Sequence, residues 1–111
     1  MKYTRLLCAS FLFSTISLHV SAASTIKSIE LHNNLALIQA YPEKVTGSST
    51  CADDDKKHIW AVDISVLKGE KLYALLLGAL SEQTPVTFIP ARDCLNTKGY
   101  ERLNGIAIKS H

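Results

Sequence analysis

The stretch HIWAVDISVLKGEKLYALLLGALSEQTPVTFI, residues 58–89, decides the fold because its hydrophobic period changes partway along. Residues 58–64 alternate, with Trp60, Val62 and Ile64 set against the residues between them, which predicts a β-strand. Apolar residues then recur at helical spacing and form one broad stripe: Leu72, Leu75, Leu76, Ala79 and Leu80. This spacing predicts a helix over about 69–83, which begins at Ser65 or Gly69 and ends at Thr84-Pro85. Residues 86–89 predict a further strand, ending at Pro90.

Three more β-type segments flank this stretch. Residues 26–31 and 35–41 predict two strands joined at Asn33-Asn34, a pair that tolerates positive φ in a tight turn. Residues 103–108 predict a last strand, bent at Gly105. The resulting order, β-β-β-α-β-β, predicts an OB-fold, a five-stranded Greek-key barrel with one helix between strands 3 and 4. The alternative is an open α+β sheet with the helix packed on one face.

The first 22 residues have the pattern of a secretory signal peptide. Lys2 and Arg5 precede an apolar stretch, and Val20-Ser21-Ala22 supplies the small residues of a cleavage site. The apolar core is too short and too rich in serine for a membrane-spanning anchor, and Cys8 lies too early for a lipid attachment site. We therefore expect cleavage after Ala22, a single domain over 23–111, and a secreted or periplasmic location with no membrane span.

Composition narrows the function classes. The chain is 47% hydrophobic and 20% charged with a formal net charge of +2, which excludes a disordered tail and a strongly basic nucleic-acid arm. Cleavage after Ala22 would remove Lys2 and Arg5 and leave ten basic and ten acidic side chains. A domain of zero net charge has no general attraction to nucleic acid or anionic lipid, so we expect no nucleic-acid partner.

Two cysteines, Cys51 and Cys94, lie in the predicted mature domain. In an exported protein an even pair is most simply a disulfide, whereas a metal or redox site would need a C-x-x-C or histidines at ligand spacing. The bridge would close a loop of about 44 residues, which the chain-entropy estimate values at about 4 kcal/mol. We therefore predict a structural disulfide.

Catalytic patterns are absent from the sequence. It contains no nucleophile elbow, no H-E-x-x-H and no phosphate-binding glycine loop. Asp63 and His58 are the candidate acid and base, but an enzyme would need a pocket that joins one of them to a second titratable group. Residues 53–55 (Asp-Asp-Asp) lack the alternating ligands of a calcium loop. We expect no enzyme activity, no catalytic residue, no metal and no cofactor.

A binding role requires fewer specific residues than catalysis does. Saccharides are held by an aromatic face and a few hydroxyl, amide or carboxylate groups, and residues of these types lie in or beside the predicted loops. The candidates are Tyr41, Ser48, Ser49, Thr50 and Tyr100. The alternative is that they are ordinary loop residues.

A sparse set of motifs spans 26–108. It comprises Gly47-Ser48-Ser49 before Cys51, Trp60 early in a strand, Leu72-Tyr73 in a helix, Thr84-Pro85-Val86 leading into a strand, and the later Cys94. This layout resembles the B-subunit family of subtilase-cytotoxin and pertussis-like AB5 toxins, together with similar small exported bacterial proteins. The resemblance implies an OB-fold subunit, often pentameric, that binds cell-surface glycans, including sialylated ones. It also implies a glycan-contacting serine in the first strand, where Ser28 is the candidate.

The sequence therefore predicts an exported binding module whose partner is a cell-surface glycan. The alternative is an envelope protein that binds another exported protein and no glycan. Because Tyr73, Leu77 and the Leu75-Leu76 pair exceed what one small barrel must cover, we also predict a homo-oligomer that uses helix 69–83 as its interface.

Overall fold

The computed structural model describes residues 23–44, 50–95 and 99–108, which form a mainly β domain, as predicted. Its elements are β1 (Thr25–His32), β2 (Leu35–Tyr41), a single 3-10 turn (Asp54–Lys56), β3 (Trp60–Asp63), the helix α1 (Leu67–Glu82), β4 (Thr87–Cys94) and β5 (Glu101–Ala107). No helix in this part of the chain is long and apolar enough to cross a membrane.

The five strands form one mixed sheet in the order β1-β2-β3-β5-β4. Three pairs are antiparallel, and only β3 and β5 run parallel. The β1–β2 hairpin turns through Asn33 and Asn34, between the paired residues His32 and Leu35, and Asn33 has a φ of 56°. A short polar side chain tolerates this left-handed conformation, which explains the asparagine at the turn.

The sheet is not closed into the barrel that the sequence predicts. Within residues 23–44, 50–95 and 99–108, its two edges, β1 and β4, meet only at an isolated antiparallel bridge, in which Ser24 and Val86 exchange two backbone hydrogen bonds of 2.8 Å. In an antiparallel register through this pair, residues after Val86 lie opposite residues before Ser24. Since β1 begins at Thr25 and β4 at Thr87, the two strands diverge from the bridge and no further ladder forms between them.

Strand β4 continues through Pro90, where the sequence predicted its end. The register with β5 shifts on both sides of Pro90, and Arg92 adopts a φ of 70°. Proline is compatible with a sheet at an edge strand or a bulge, and here both conditions hold because β4 is paired on one side only. The third strand, by contrast, is shorter than predicted and spans only Trp60–Asp63.

Helix α1 spans Leu67–Glu82, so it starts two residues earlier and ends one residue earlier than the predicted range 69–83. Gln83 ends the helix in the left-handed conformation, with a φ of 55°, and the Thr84 amide donates to the Ala79 carbonyl at 2.9 Å. Near the other end, Gly69 is buried so close to the Asp63 carbonyl that a β-carbon there would overlap the oxygen. The second glycine of the helix, Gly78, interrupts the apolar pattern and could have marked either a local weakness or a close backbone approach; nothing lies within 4 Å of a β-carbon at that position, so there is no close approach there.

Apolar side chains pack on both faces of the sheet. The main core lies between the sheet and α1, where Ile38, Val62 and Leu76 are fully buried. The opposite surface of β1–β3, which we call the outer face, carries a smaller cluster of Leu37, Ala61 and Leu95. Because alternate residues of a strand point to opposite faces, β2 and β3 contribute to both clusters.

Candidate ligand-binding groove

A groove of about 560 Å³ opens at one end of the outer face. It lies where the β1–β2 turn, the end of β3 and the β4–β5 connection come together. Its lining residues are His32, Asn33, Asn34, Leu35, Leu37, Lys56, Asp63, Ser65, Leu95 and Tyr100. Leucines form an apolar floor and the rim is polar, a combination typical of sites for small polar ligands.

The carboxylate of Asp63 is fixed on one side of this groove. Its Oδ1 accepts hydrogen bonds from the Ser65 amide at 2.9 Å and the Ser65 hydroxyl at 2.5 Å. These two bonds lower the pKa of Asp63, so the group is ionised at neutral pH. The backbone around it is also tied to the hairpin turn, because the Ile64 amide donates to the Asn34 carbonyl at 2.9 Å.

Tyr100 contributes an aromatic ring to the lining of the groove. It is half-buried against the outer-face cluster, and the Lys56 ammonium lies 4.8 Å from its ring centroid. Lys56 also pairs with Asp53 at 3.3 Å. The cation therefore holds the 3-10 turn against the aromatic ring.

The connection that carries Tyr100 is anchored at two further points. The Asp53 amide donates to the Gly99 carbonyl at 2.9 Å, and Gly99 has a φ of 75° with the Asp53 carboxylate where a β-carbon would be. Only glycine fits this position without strain. The Cys51–Cys94 disulfide, confirmed as predicted, joins the same two segments covalently.

At the rim of the groove, the His32 Nε2 lies 3.2 Å from the Glu30 Oε1. Both residues lie on β1 two positions apart, so they share a face of the sheet. Both side chains are well exposed to solvent. Among the described residues, the groove thus contains one carboxylate, Asp63, that pairs with no cation, and two cationic or potentially cationic groups, Lys56 and His32, that already contact acids.

The predicted ligand residues are distributed unevenly. Tyr100 lies in the groove. Ser28 pairs with Gln39 and Tyr41 with Thr25, so both lie toward the end of the hairpin remote from the turn, outside the groove lining. Ser48 and Ser49 fall outside the described residues, and Thr50 is exposed but does not line the groove.

Six polar lining residues were not predicted as ligand-binding positions: His32, Asn33, Asn34, Lys56, Asp63 and Ser65. The sequence assigned the two asparagines to a turn and considered Asp63 only as an acid catalyst. Their proximity follows from the β2–β3 pairing, in which Leu35 lies opposite Asp63. The strand pattern indicated this proximity in part. When a third strand pairs antiparallel with the second strand of a hairpin, its end lies beside the hairpin turn.

The acid and base candidates of the sequence, Asp63 and His58, both lie among the described residues. Asp63 hydrogen-bonds only to Ser65 among them, so no second titratable group contacts it. His58 does not line the groove. No group of three or more histidine, cysteine, aspartate or glutamate side chains in the described ranges is placed to hold a metal ion.

Searches against protein-family models, curated proteins and solved structures found no match to this chain.

Proposed function

We propose that the protein is an exported, non-enzymatic binding module that holds a saccharide in the groove between Asp63 and Tyr100. In this role it would resemble the glycan-binding B subunits of AB5 toxins. The observation that carries the proposal is the combination of an aromatic wall, an apolar floor and a fixed carboxylate in one open groove. A pyranose ring presents an apolar CH face and several hydroxyl groups, and these are complementary to such a lining.

The position of the groove supports the same role. OB-folds bind oligosaccharides at the face of strands 2 and 3, between the loop that joins strands 1 and 2 and the loop that joins strands 4 and 5. Here the groove lies between the Asn33-Asn34 turn and the β4–β5 connection, beside β2 and β3. The strand order and the Ser24–Val86 bridge fit an OB-like architecture whose barrel is left partly open.

The disulfide supports an extracytoplasmic location. Cys51 and Cys94 are bonded, which joins the segment before the 3-10 turn to the end of β4. Structural disulfides form and persist in oxidising compartments such as the periplasm and the extracellular space. Together with the predicted signal peptide, the bridge favours a module that meets its ligand outside the cytoplasm.

A glycan array tests the proposal, with the full chain expressed and the protein recovered after export. We expect specific glycan hits for the wild-type protein. In titrations with a hit glycan, Tyr100→Leu should weaken binding by several-fold to about tenfold, since leucine keeps apolar bulk but removes the aromatic face. Tyr41→Leu is the matched control, because Tyr41 is an exposed tyrosine outside the groove and its loss should leave binding unchanged. A blank array, or an equal loss in both variants, would refute the proposal.

A second candidate function is favoured by one observation. Helix α1 exposes Leu67, Leu75 and Leu77, which are 66%, 55% and 41% exposed. Apolar surface of this kind is used in contacts between proteins. In this alternative the protein is an envelope component that binds another exported protein and no glycan. A blank array, together with capture of a defined envelope protein that Leu75→Lys abolishes, would favour it.

A further inference from the structure

We infer that the groove selects neutral saccharides, whose hydroxyl groups donate to Asp63, and discriminates against acidic ones. This inference rests on the proposed function and goes beyond it, because it names the charge class of the ligand. It follows from how the charged groups of the groove are engaged.

Asp63 still has acceptor capacity for a ligand. Both hydrogen bonds from Ser65 go to Oδ1, and no described residue hydrogen-bonds or pairs ionically with Oδ2. A carboxylate with a free oxygen accepts one or two hydroxyl donors, and adjacent hydroxyls of a pyranose present donors at suitable spacing. The Ser65 bonds fix the orientation of the carboxylate before the ligand arrives, which reduces the entropic cost of binding.

The cationic groups of the groove are already in contact with acids. Lys56 lies 3.3 Å from the Asp53 carboxylate and over the Tyr100 ring. His32 lies 3.2 Å from Glu30. Among the described residues of the groove, an acidic ligand would therefore meet the charge of Asp63 with no cation reserved for its own carboxylate, and like charges at contact distance repel one another.

The rest of the lining favours a saccharide over a simple cation. Leu35, Leu37 and Leu95 form an apolar floor beside the Tyr100 ring. A small cation or a lysine side chain would pair with the Asp63 carboxylate but would leave this apolar surface exposed to water. A neutral sugar ring uses the carboxylate and the apolar surface together.

A matched pair of ligands tests the inference. The wild-type protein, recovered after export, is titrated with N-acetyllactosamine and with the same disaccharide carrying one terminal sialic acid, at equal ionic strength. We expect the neutral ligand to bind about fivefold to tenfold more tightly, since the groove is open to solvent and a like-charge contact at about 4 Å that bulk water screens is worth about that factor. Asp63→Asn should weaken the neutral ligand and bring the ratio of the two affinities close to one. Glu82→Gln, the same change of charge at the exposed end of α1, should leave the ratio unchanged.

The possible results separate the inference from the proposed function. Equal binding of both ligands, or tighter binding of the sialylated one, would overturn the inference and leave saccharide binding intact. If neither ligand binds and the glycan array is blank, both the inference and the proposed function are overturned. Tighter binding of a trilysine peptide than of N-acetyllactosamine would also overturn the inference. Because the wild-type comparison needs no variant, the test holds even if Asp63→Asn fails to fold.

Discussion

The Lys44 ammonium lies 2.8 Å from Glu101 Oε1, in an ion pair whose side chains are only 4% and 2% exposed. Lys44 also donates to the Lys57 carbonyl at 2.6 Å and lies 4.7 Å from the Trp60 ring centroid. The pair thus joins the segment after β2, the start of β3 and the start of β5. Buried charges are costly unless they are paired and hydrogen-bonded, and here both conditions are met.

We expect removal of one partner of this pair to be strongly destabilising. Lys44→Met should lower the free energy of unfolding by about 3–5 kcal/mol, because it removes the ammonium group that pairs with the buried Glu101 carboxylate. The double variant Lys44→Met/Glu101→Leu should lose less than the sum of the two single variants. Urea unfolding of the four proteins measures the coupling. Strictly additive losses would mean that the two charges do not interact.

The disulfide should be a major source of stability. We expect Cys51→Ser to lower the unfolding free energy by about 4 kcal/mol and the melting temperature by roughly 15–30 °C, because the bond closes a long loop. Cys94→Ser and the double variant should lose the same amount, since all three lack one and the same bond. Calorimetry of the three variants tests this. Alkylation of both cysteines in unreduced wild-type protein would contradict the bond itself.

The two glycines of α1 should respond oppositely to alanine. Gly69→Ala should destabilise by about 1–3 kcal/mol, because its β-carbon would overlap the Asp63 carbonyl and force the helix away from β3. Gly78→Ala should stabilise by about 0.5–1 kcal/mol, since Gly78 is exposed with open space around it and alanine is the better helix former. Thermal unfolding compares the pair. Equal effects at the two positions would rule out the close approach at Gly69.

Local sequence pattern accounts for much of this fold. The alternation at 58–64 placed Trp60 and Val62 in the main core and Ala61 on the opposite face, as observed. The cysteine count predicted the disulfide, and Thr84-Pro85 marked the end of α1 to within two residues. These features depend on residues close in sequence or on a simple rule of chemistry.

Features that depend on packing between distant segments were not predictable in the same way. Glycine content cannot show that Gly69 rather than Gly78 meets another backbone, because the contact depends on how α1 crosses the end of β3. Barrel closure depends on the register at Ser24–Val86, and nothing local to either residue encodes that register. The groove combines a turn, a strand end and a loop, so among the predicted ligand residues that the structure describes only Tyr100 lines it.

Acid unfolding should depend on Asp93. Arg102 donates two hydrogen bonds of 2.8 Å to this carboxylate, which lowers the pKa of Asp93 below its value in the unfolded chain, near 3.8. A lowered pKa contributes stability above about pH 4, and the contribution is lost as the pH falls through the folded-state pKa. Asp93→Asn should therefore reduce the loss of stability on acidification from about pH 5 to pH 2. At pH 7 it should cost less than about 1 kcal/mol, because the pair is partly exposed and screened.

Asp54→Asn is the control for this measurement, since the Asp54 side chain is 98% exposed and its ion pair within the described residues is with an exposed lysine, Lys57. Its profile of unfolding free energy against pH should follow that of the wild-type protein. If the unfolding free energy of Asp93→Asn falls on acidification as steeply as that of the wild-type protein, the ion pair with Arg102 contributes nothing to stability in acid.

The exposed face of α1 tests the predicted homo-oligomer. Of the residues that the sequence assigned to this interface, Leu76 is fully buried and Tyr73 packs against the protein's own core, so both are used within one subunit. Leu75 and Leu77 remain exposed, and the small residues Ala74 and Gly78 beside them are exposed too, which would let a second helix approach closely. We expect light scattering of the exported protein to give a mass above that of the monomer.

Leu75→Lys should convert this assembly to a monomer, because an interface buries the leucine but cannot bury an unpaired ammonium without a large desolvation cost. Its thermal unfolding at low protein concentration should match that of the wild-type monomer, since Leu75 is not part of the core. Tyr41→Lys introduces the same charge at an exposed aromatic residue away from α1 and should leave the mass unchanged. If the wild-type protein stays monomeric at high concentration, helix α1 is not an interface between copies of this chain. Its three exposed leucines would then be a surface for a different protein.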